Sequence, residues 1–126
     1  MEISFTDREL DVMAVLWRRG SGTVAEVRDG LQEEFAYTTV LTVLRTLEEK
    51  GYVGHVAEGK AHRYHPLVAQ DAAGKSALAR VLDKIFEGSE ELLLTQLVSD
   101  RGVSEKKLKQ LRKLLDKHLE RRRDKP

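Results

Sequence analysis

No cysteine occurs in the sequence, so disulfides, thiolate metal sites and cysteine nucleophiles are excluded. No apolar run approaches the length that crosses a bilayer, and no membrane association is expected. The opening MEISFTDRE has no basic segment followed by an apolar one, so no secretory signal is expected and the cytoplasm is the expected location. Catalytic constellations are missing as well. There is no nucleophile-elbow motif, no Gly-rich phosphate loop and no carboxylate pair set in an apolar surround, so neither an enzyme nor a cofactor is expected. Charge is also uninformative in total. The net value is +1, with residues 1–70 carrying 8 Lys plus Arg against 11 Asp plus Glu and residues 71–126 carrying 14 against 10.

What is present centres on Ala36 to Gly51, AYTTVLTVLRTLEEKG, whose period predicts one helix with two chemically different faces. Val40, Leu41, Val43, Leu44 and Leu47 form an apolar stripe that must bury. Opposite them stand Thr38, Thr42, Arg45, Thr46 and Glu49, with Thr39 on the flank. Threonines cost helix stability, and solvated faces are ordinarily filled with Lys, Glu and Gln instead. A ligand wanting hydroxyls, methyls and a guanidinium would justify the choice, and duplex DNA is such a ligand. Read from this helix alone, the threonines are equally accounted for as simply exposed.

The flanking elements favour the DNA reading. Thr6-x-x-Glu9 is a capping box that opens a helix to Arg19, with Leu10, Met13, Ala14 and Trp17 as its expected apolar stripe. Ser21-Gly22 reads as a turn, and Thr23-x-x-Glu26 opens a second helix that carries Val24, Val27 and Leu31 and reaches about Glu34. Two helices joined by a tight turn, then the Thr-rich helix, give a helix-turn-helix whose third member is the recognition element. After Gly51 the period changes to two, and residues 52–57 and 61–66 read as strands of a hairpin wing. Lys60 at its tip and Arg63 on its return strand are expected to reach phosphates. His55, His62 and His65 lie close in sequence, but His62 and His65 point to opposite faces of a strand, so no metal site is expected.

Residues 1–68 are therefore expected to form a winged helix-turn-helix DNA-binding domain, and residues 69–126 a domain of three Leu-rich helices. The latter carry Leu78, Val81, Leu82 and Ile85, then Leu93 and Leu97, then Leu108, Leu111 and Leu115. Lacking Trp and Tyr, they make a poor independent core and are expected to pair with a second chain as a homodimer. The closing Arg121-Arg122-Arg123 reads either as cations at a helix C-terminus or as a weakly phosphate-attracting tail. The fold class is mainly α with a small β-hairpin.

Leu10-x-Val12-Met13-x-x-Leu16-Trp17, Thr23-Val24-x-Glu26-Val27, Ala36-Tyr37-Thr38-Thr39-Val40-x-Thr42-x-Leu44, Leu47-x-x-Lys50-Gly51 and Gly59-x-Ala61-x-x-Tyr64-x-Pro66 resemble the BlaI/MecI family of penicillinase repressors. The later Phe86-Glu87-Gly88-Ser89 and Ser104-x-x-x-Leu108-x-x-Leu111 resemble it in layout. The resemblance implies a winged-helix transcriptional repressor that dimerises through its C-terminal helices and reads a two-fold operator with the Thr38 to Thr46 face. Family members often carry Arg where Thr46 stands, whereas here Arg45 lies one place earlier. Copper-sensing relatives have a Cys cluster that this chain lacks. Relatives released by a membrane-bound sensor protease are cut at an Asn-Phe bond, where this chain has Gln96-Leu97, and a sensor protease enters as a partner only through that likeness. Two other readings remain open: a winged-helix protein-interaction module, which the acidic first half would suit, and a repressor released by a small ligand, against which the helices offer mostly leucine.

Overall fold

The computed structural model describes residues 3–100 and 102–124. They run in the order α1 (Asp7–Arg19), β1 (Gly22–Thr23), α2 (Val24–Gly30), α3 (Tyr37–Glu49), β2 (Val53–Glu58), β3 (Ala61–Pro66), α4 (Gln70–Lys84), α5 (Glu90–Asp100) and α6 (Glu105–Arg123). Both expected capping boxes form. Thr6 Oγ1 accepts from the Glu9 N–H at 3.1 Å while the Glu9 carboxylate accepts from the Thr6 N–H at 2.8 Å, and Thr23 and Glu26 repeat the exchange at 3.2 and 2.9 Å. Gly20, at φ 88°, closes α1 by donating its N–H to Leu16 O, a left-handed position that suits glycine.

The buried stripe of α1 is Glu9, Val12, Met13 and Leu16, with Val15 beside it; Leu10 and Ala14, expected inside, are exposed. Spacing of three and four residues is obeyed, but a carboxylate occupies one place in it, which is why apolar periodicity alone misphases this helix. The second helix ends at Gly30 and not near Glu34. Leu31 is already extended and donates to Arg28 O, and a Cβ on Gly30 would stand 2.8 Å from Val15 Cγ1, so a glycine is what lets α2 close on α1.

The expected turn at Ser21-Gly22 gives way to a strand. Gly22 and Thr23 form β1, which pairs antiparallel with β3 (Gly22 with Tyr64, Thr23 with Arg63) and makes the hairpin a three-stranded sheet in the order β1-β3-β2. Val40, Leu44 and Leu47 of α3 pack into one core with the α1 stripe, Val24, Val27, Val53 and Tyr64. Burying each such aliphatic side chain stabilises by about 1.5–3 kcal/mol. Trp17 lies at the edge of this core as an anchor, with Phe5 edge-on at 6.2 Å and its indole N–H donating to Val68 O at 2.8 Å.

One charged group enters the core. Glu9 is 4% exposed, and Lys50 Nζ, at the C-terminal cap of α3, lies 2.8 Å from both of its oxygens. Burial works to raise the Glu9 pKa, but the Lys50 ammonium and the Thr6 N–H outweigh it and hold the carboxyl below the ordinary glutamate range.

The chain divides inside α4 into two compact units, one ending at Ala79 and one beginning at Arg80. In the first, the opening turns of α4 bury Ala73, and the Ser76 hydroxyl donates to Ile3 O. In the second, Ser89 Oγ accepts from the Leu92 N–H and Ser104 Oγ from the Lys107 N–H, starting α5 and α6. Neither α5 nor α6 buries a residue fully among the described residues, and Leu92, Leu94, Leu97, Leu108, Leu114, Leu115 and Leu119 are exposed.

Glu9→Gln is expected to keep the bond to the Thr6 N–H and lose the charge pair, destabilising the chain by about 1 kcal/mol at neutral pH; Glu9→Ala should cost about 2 kcal/mol. Because the native pKa of Glu9 is depressed, its contribution is complete above the unfolded glutamate range and lost as pH falls through the native value. Urea midpoints of wild type and Glu9→Gln should therefore differ at neutral pH and converge by about pH 2. A gap that persists in acid would remove the charge pair as its source.

Candidate nucleic-acid interface

With Val40, Leu44 and Leu47 turned into the core, α3 leaves Thr38, Thr42, Arg45 and Glu49 exposed, and Thr39 and Thr46 partly so. The hydroxyl of Thr42 donates to Thr38 O at 2.9 Å and that of Thr46 to Thr42 O at 3.0 Å. Those two protons are thus satisfied inside the helix, and each oxygen keeps lone pairs. What Thr42 and Thr46 can offer a ligand is therefore acceptors and methyl groups, suited to base amino groups and the thymine methyl, more than donors for phosphate.

The two ends of the helix also differ in chemistry. α1 and α2 begin with capping boxes and acidic first turns, whereas among the described residues α3 begins at Ala36 with no side-chain cap and no acid in its first turn. The positive end of its backbone dipole is left without a neutralising group of its own, a setting that favours an anion.

The wing separates the two cations expected on it. Lys60 is exposed at the hairpin turn beside Gly59. Arg63 is committed: its Nε and Nη2 donate to the Glu58 carboxylate at 3.1 and 2.8 Å, and its Nη1 lies 2.9 Å from Glu26 Oε1 and donates to Ser21 Oγ at 3.3 Å. The bonds to Glu58, then Glu26, raise the Arg63 pKa. Glu58 is correspondingly held low by Arg63, and Glu26 by the Thr23 N–H first and then by Arg63, with Arg19 3.1 Å from its other oxygen. Arg63 therefore ties β2 and β3 to the N-terminus of α2, and the expectation that it reaches phosphate meets a guanidinium whose donors are already engaged. Glu58 lies just across the hairpin turn, but Ser21 and Glu26 are distant in sequence and no local motif announces them.

On the opposite face of the hairpin lies a cluster that spacing did not announce. Glu48 of α3 accepts from His55 Nδ1, the His55 and His62 rings stack, and Tyr64 lies beneath them. Burial first, then the Glu48 charge, raises the Tyr64 pKa, with Arg45 acting the other way. His65 is on the other face, against Gly54. Among the described residues no three His, Asp or Glu side chains assemble as a metal site. No described helix is long and apolar enough to cross a membrane.

The family described as penicillinase repressor matches residues 5–117. The chain is 38% identical over 106 residues to the transcriptional regulator BlaI of Mycobacterium tuberculosis, covering 79% of this chain and 75% of that one. It is 24% identical over 121 residues to the penicillinase repressor of Bacillus licheniformis, covering 94% of each. Among solved structures, the DNA binding domain of the repressor BlaI superimposes with a TM-score of 0.51 at 30% identity, covering 57% of this chain and 93% of that domain.

Arg63→Ala is expected to loosen the wing, speeding amide hydrogen exchange in β1 and β3, and to leave the salt dependence of duplex binding within half a unit of wild type. Lys60→Ala should leave exchange unchanged and lower the slope of log affinity against log salt by about one unit. Salt titrations of both variants distinguish a structural cation from a phosphate contact.

Proposed function

The chain belongs to the penicillinase repressor family, and from that premise we propose that it is a transcriptional repressor that binds a two-fold symmetric operator as a homodimer. The observation that carries this reading is the exposed Thr38–Thr46 face of α3, bearing Arg45, on a helix held at its far end by Glu9 and flanked by a wing. Arg45 suits a guanine, the threonine acceptors and methyls suit A·T pairs, and the uncapped start of α3 with Lys60 suits phosphates.

The exposed leucines of α5 and α6 support the second half of the proposal. Side chains of this size left in water on the Leu-rich α5 and the amphipathic α6 are the surface a second copy would cover, and Leu111 and Leu115 lie on one side of α6. Two readers joined in this way bind two half-sites of one duplex, so the second contact becomes intramolecular. Release of the operator then needs only a signal that parts the C-terminal helices, and a sensor protease acting near the exposed Gln96-Leu97 of α5 is one such signal.

Arg45→Ala is expected to relax sequence preference at one base pair, by about 1–3 kcal/mol, in a selection from random duplexes. Leu115→Asp should give a monomer by sedimentation and lower operator affinity on the order of 10²–10⁴-fold while the preferred half-site stays the same. A Leu115→Asp chain that sediments as a monomer and binds as tightly as wild type would overturn the dimer clamp.

A further inference from the structure

His55 and His62 sit diagonally across β2 and β3: His55 pairs with Tyr64 and His62 with Ala57, so strand alternation sets both on the hairpin face that carries Tyr64. Their rings are stacked, with centroids 4.2 Å apart and planes 12° from parallel. His55 Nδ1 lies 2.9 and 2.6 Å from the two oxygens of Glu48, on the helix whose other face carries Arg45 and the threonines. About two-thirds of each of these two side chains is shielded from water. The remaining groups facing the cluster are the Tyr64 phenol and, acting on that phenol from α3, Arg45 and Tyr37. Arg63 pairs with both Glu58 and Glu26 on the other face of the hairpin.

The bond to a carboxylate requires a proton on His55 Nδ1 and leaves Nε2 as the atom that takes up another. With both rings neutral the cluster carries the single negative charge of Glu48, between recognition helix and wing. One proton cancels it. A second would place two cations in stacked rings and is opposed by their repulsion.

We propose that Glu48, His55 and His62 form a proton-linked positioning array, in which uptake of one proton removes the negative charge between α3 and the wing, locks the wing to the helix and strengthens duplex binding. This rests on the DNA-binding reading given above. It differs from the Arg63 cluster in kind, because a guanidinium keeps its charge throughout the physiological range while an imidazole does not. Glu48, His55 and His62 are positioning residues; none is assigned a contact to a base.

The test uses the full chain and two probes, the tightest duplex selected from a random pool and an unselected duplex of the same length, at constant ionic strength. Wild-type affinity for the selected duplex should rise about 3–10-fold from about pH 8 to about pH 6, the effect of neutralising one charge near the phosphates. The double variant His55→Gln with His62→Gln should flatten the profile to within about twofold, whereas His65→Gln should leave the rise in place. Glu48→Gln, which leaves His55 without its carboxylate partner, should shrink the rise. A flat wild-type profile, a rise that survives in the double variant, or a rise undiminished in Glu48→Gln would each overturn the array. Failure of both duplexes to bind at either pH would overturn the DNA-binding reading, and the array with it.

Discussion

The first unit depends on one carboxylate. Glu9 closes the capping box that starts α1 and receives the ammonium of Lys50, so the N-terminus of α1 and the C-terminal cap of α3 share a single anion. Burying that anion is unfavourable by itself, and only two bonding partners of opposite polarity make it tolerable. Lys50 gains twice, since a cation at this end of α3 also meets the negative end of the helix dipole. The orientation of α3 is thereby held at the end away from its uncapped start.

The acidic balance of residues 1–70 looks at first unsuited to DNA, and the pairing of charges accounts for it. Glu9, Glu26, Glu48 and Glu58 are each matched within the unit by Lys50, Arg63 with Arg19, His55 and Arg63. Asp7, Asp11 and Glu33 line a shallow cleft with Arg8 beside Phe35. Arg45 and Lys60 remain exposed on α3 and on the wing turn. Four of the acids are thus spent on internal pairs while Arg45 and Lys60 stay exposed, so total charge is a poor guide to such a surface.

What could be read in the sequence was whatever is local. The capping boxes at Thr6 and Thr23, the amphipathic α3 with Leu44 and Leu47 inside, and the change of period after Gly51 all follow from residues within a turn or two of each other. The rest was set by partners far along the chain. β1 is two residues long and exists only because β3 pairs with it, and Arg63 is a clamp only because Glu26 lies alongside. The phase of α1 was hidden by a charged residue on its buried stripe, and the early stop of α2 by the need for a glycine against Val15. In the second unit the leucine periods predict helices well and say nothing of what covers them, since among the described residues Leu108, Leu114 and Leu115 remain exposed.

The wing is therefore fastened on two faces by groups of different chemistry. On one, Arg63 joins β2, β3 and α2 with a charge that does not titrate near neutrality; on the other, Glu48 holds His55 with a bond whose strength changes with one proton. If both fastenings were arginine the wing would have one position, and if both were histidine it would loosen wholesale as pH rose. With one of each, β3 stays anchored to the body at every pH in the range while the contact between wing and recognition helix alone responds. A proton can then alter the surface offered to a duplex without unfolding any part of the reader, because the Glu9–Lys50 pair and the core around Leu44 lie outside the groups that titrate.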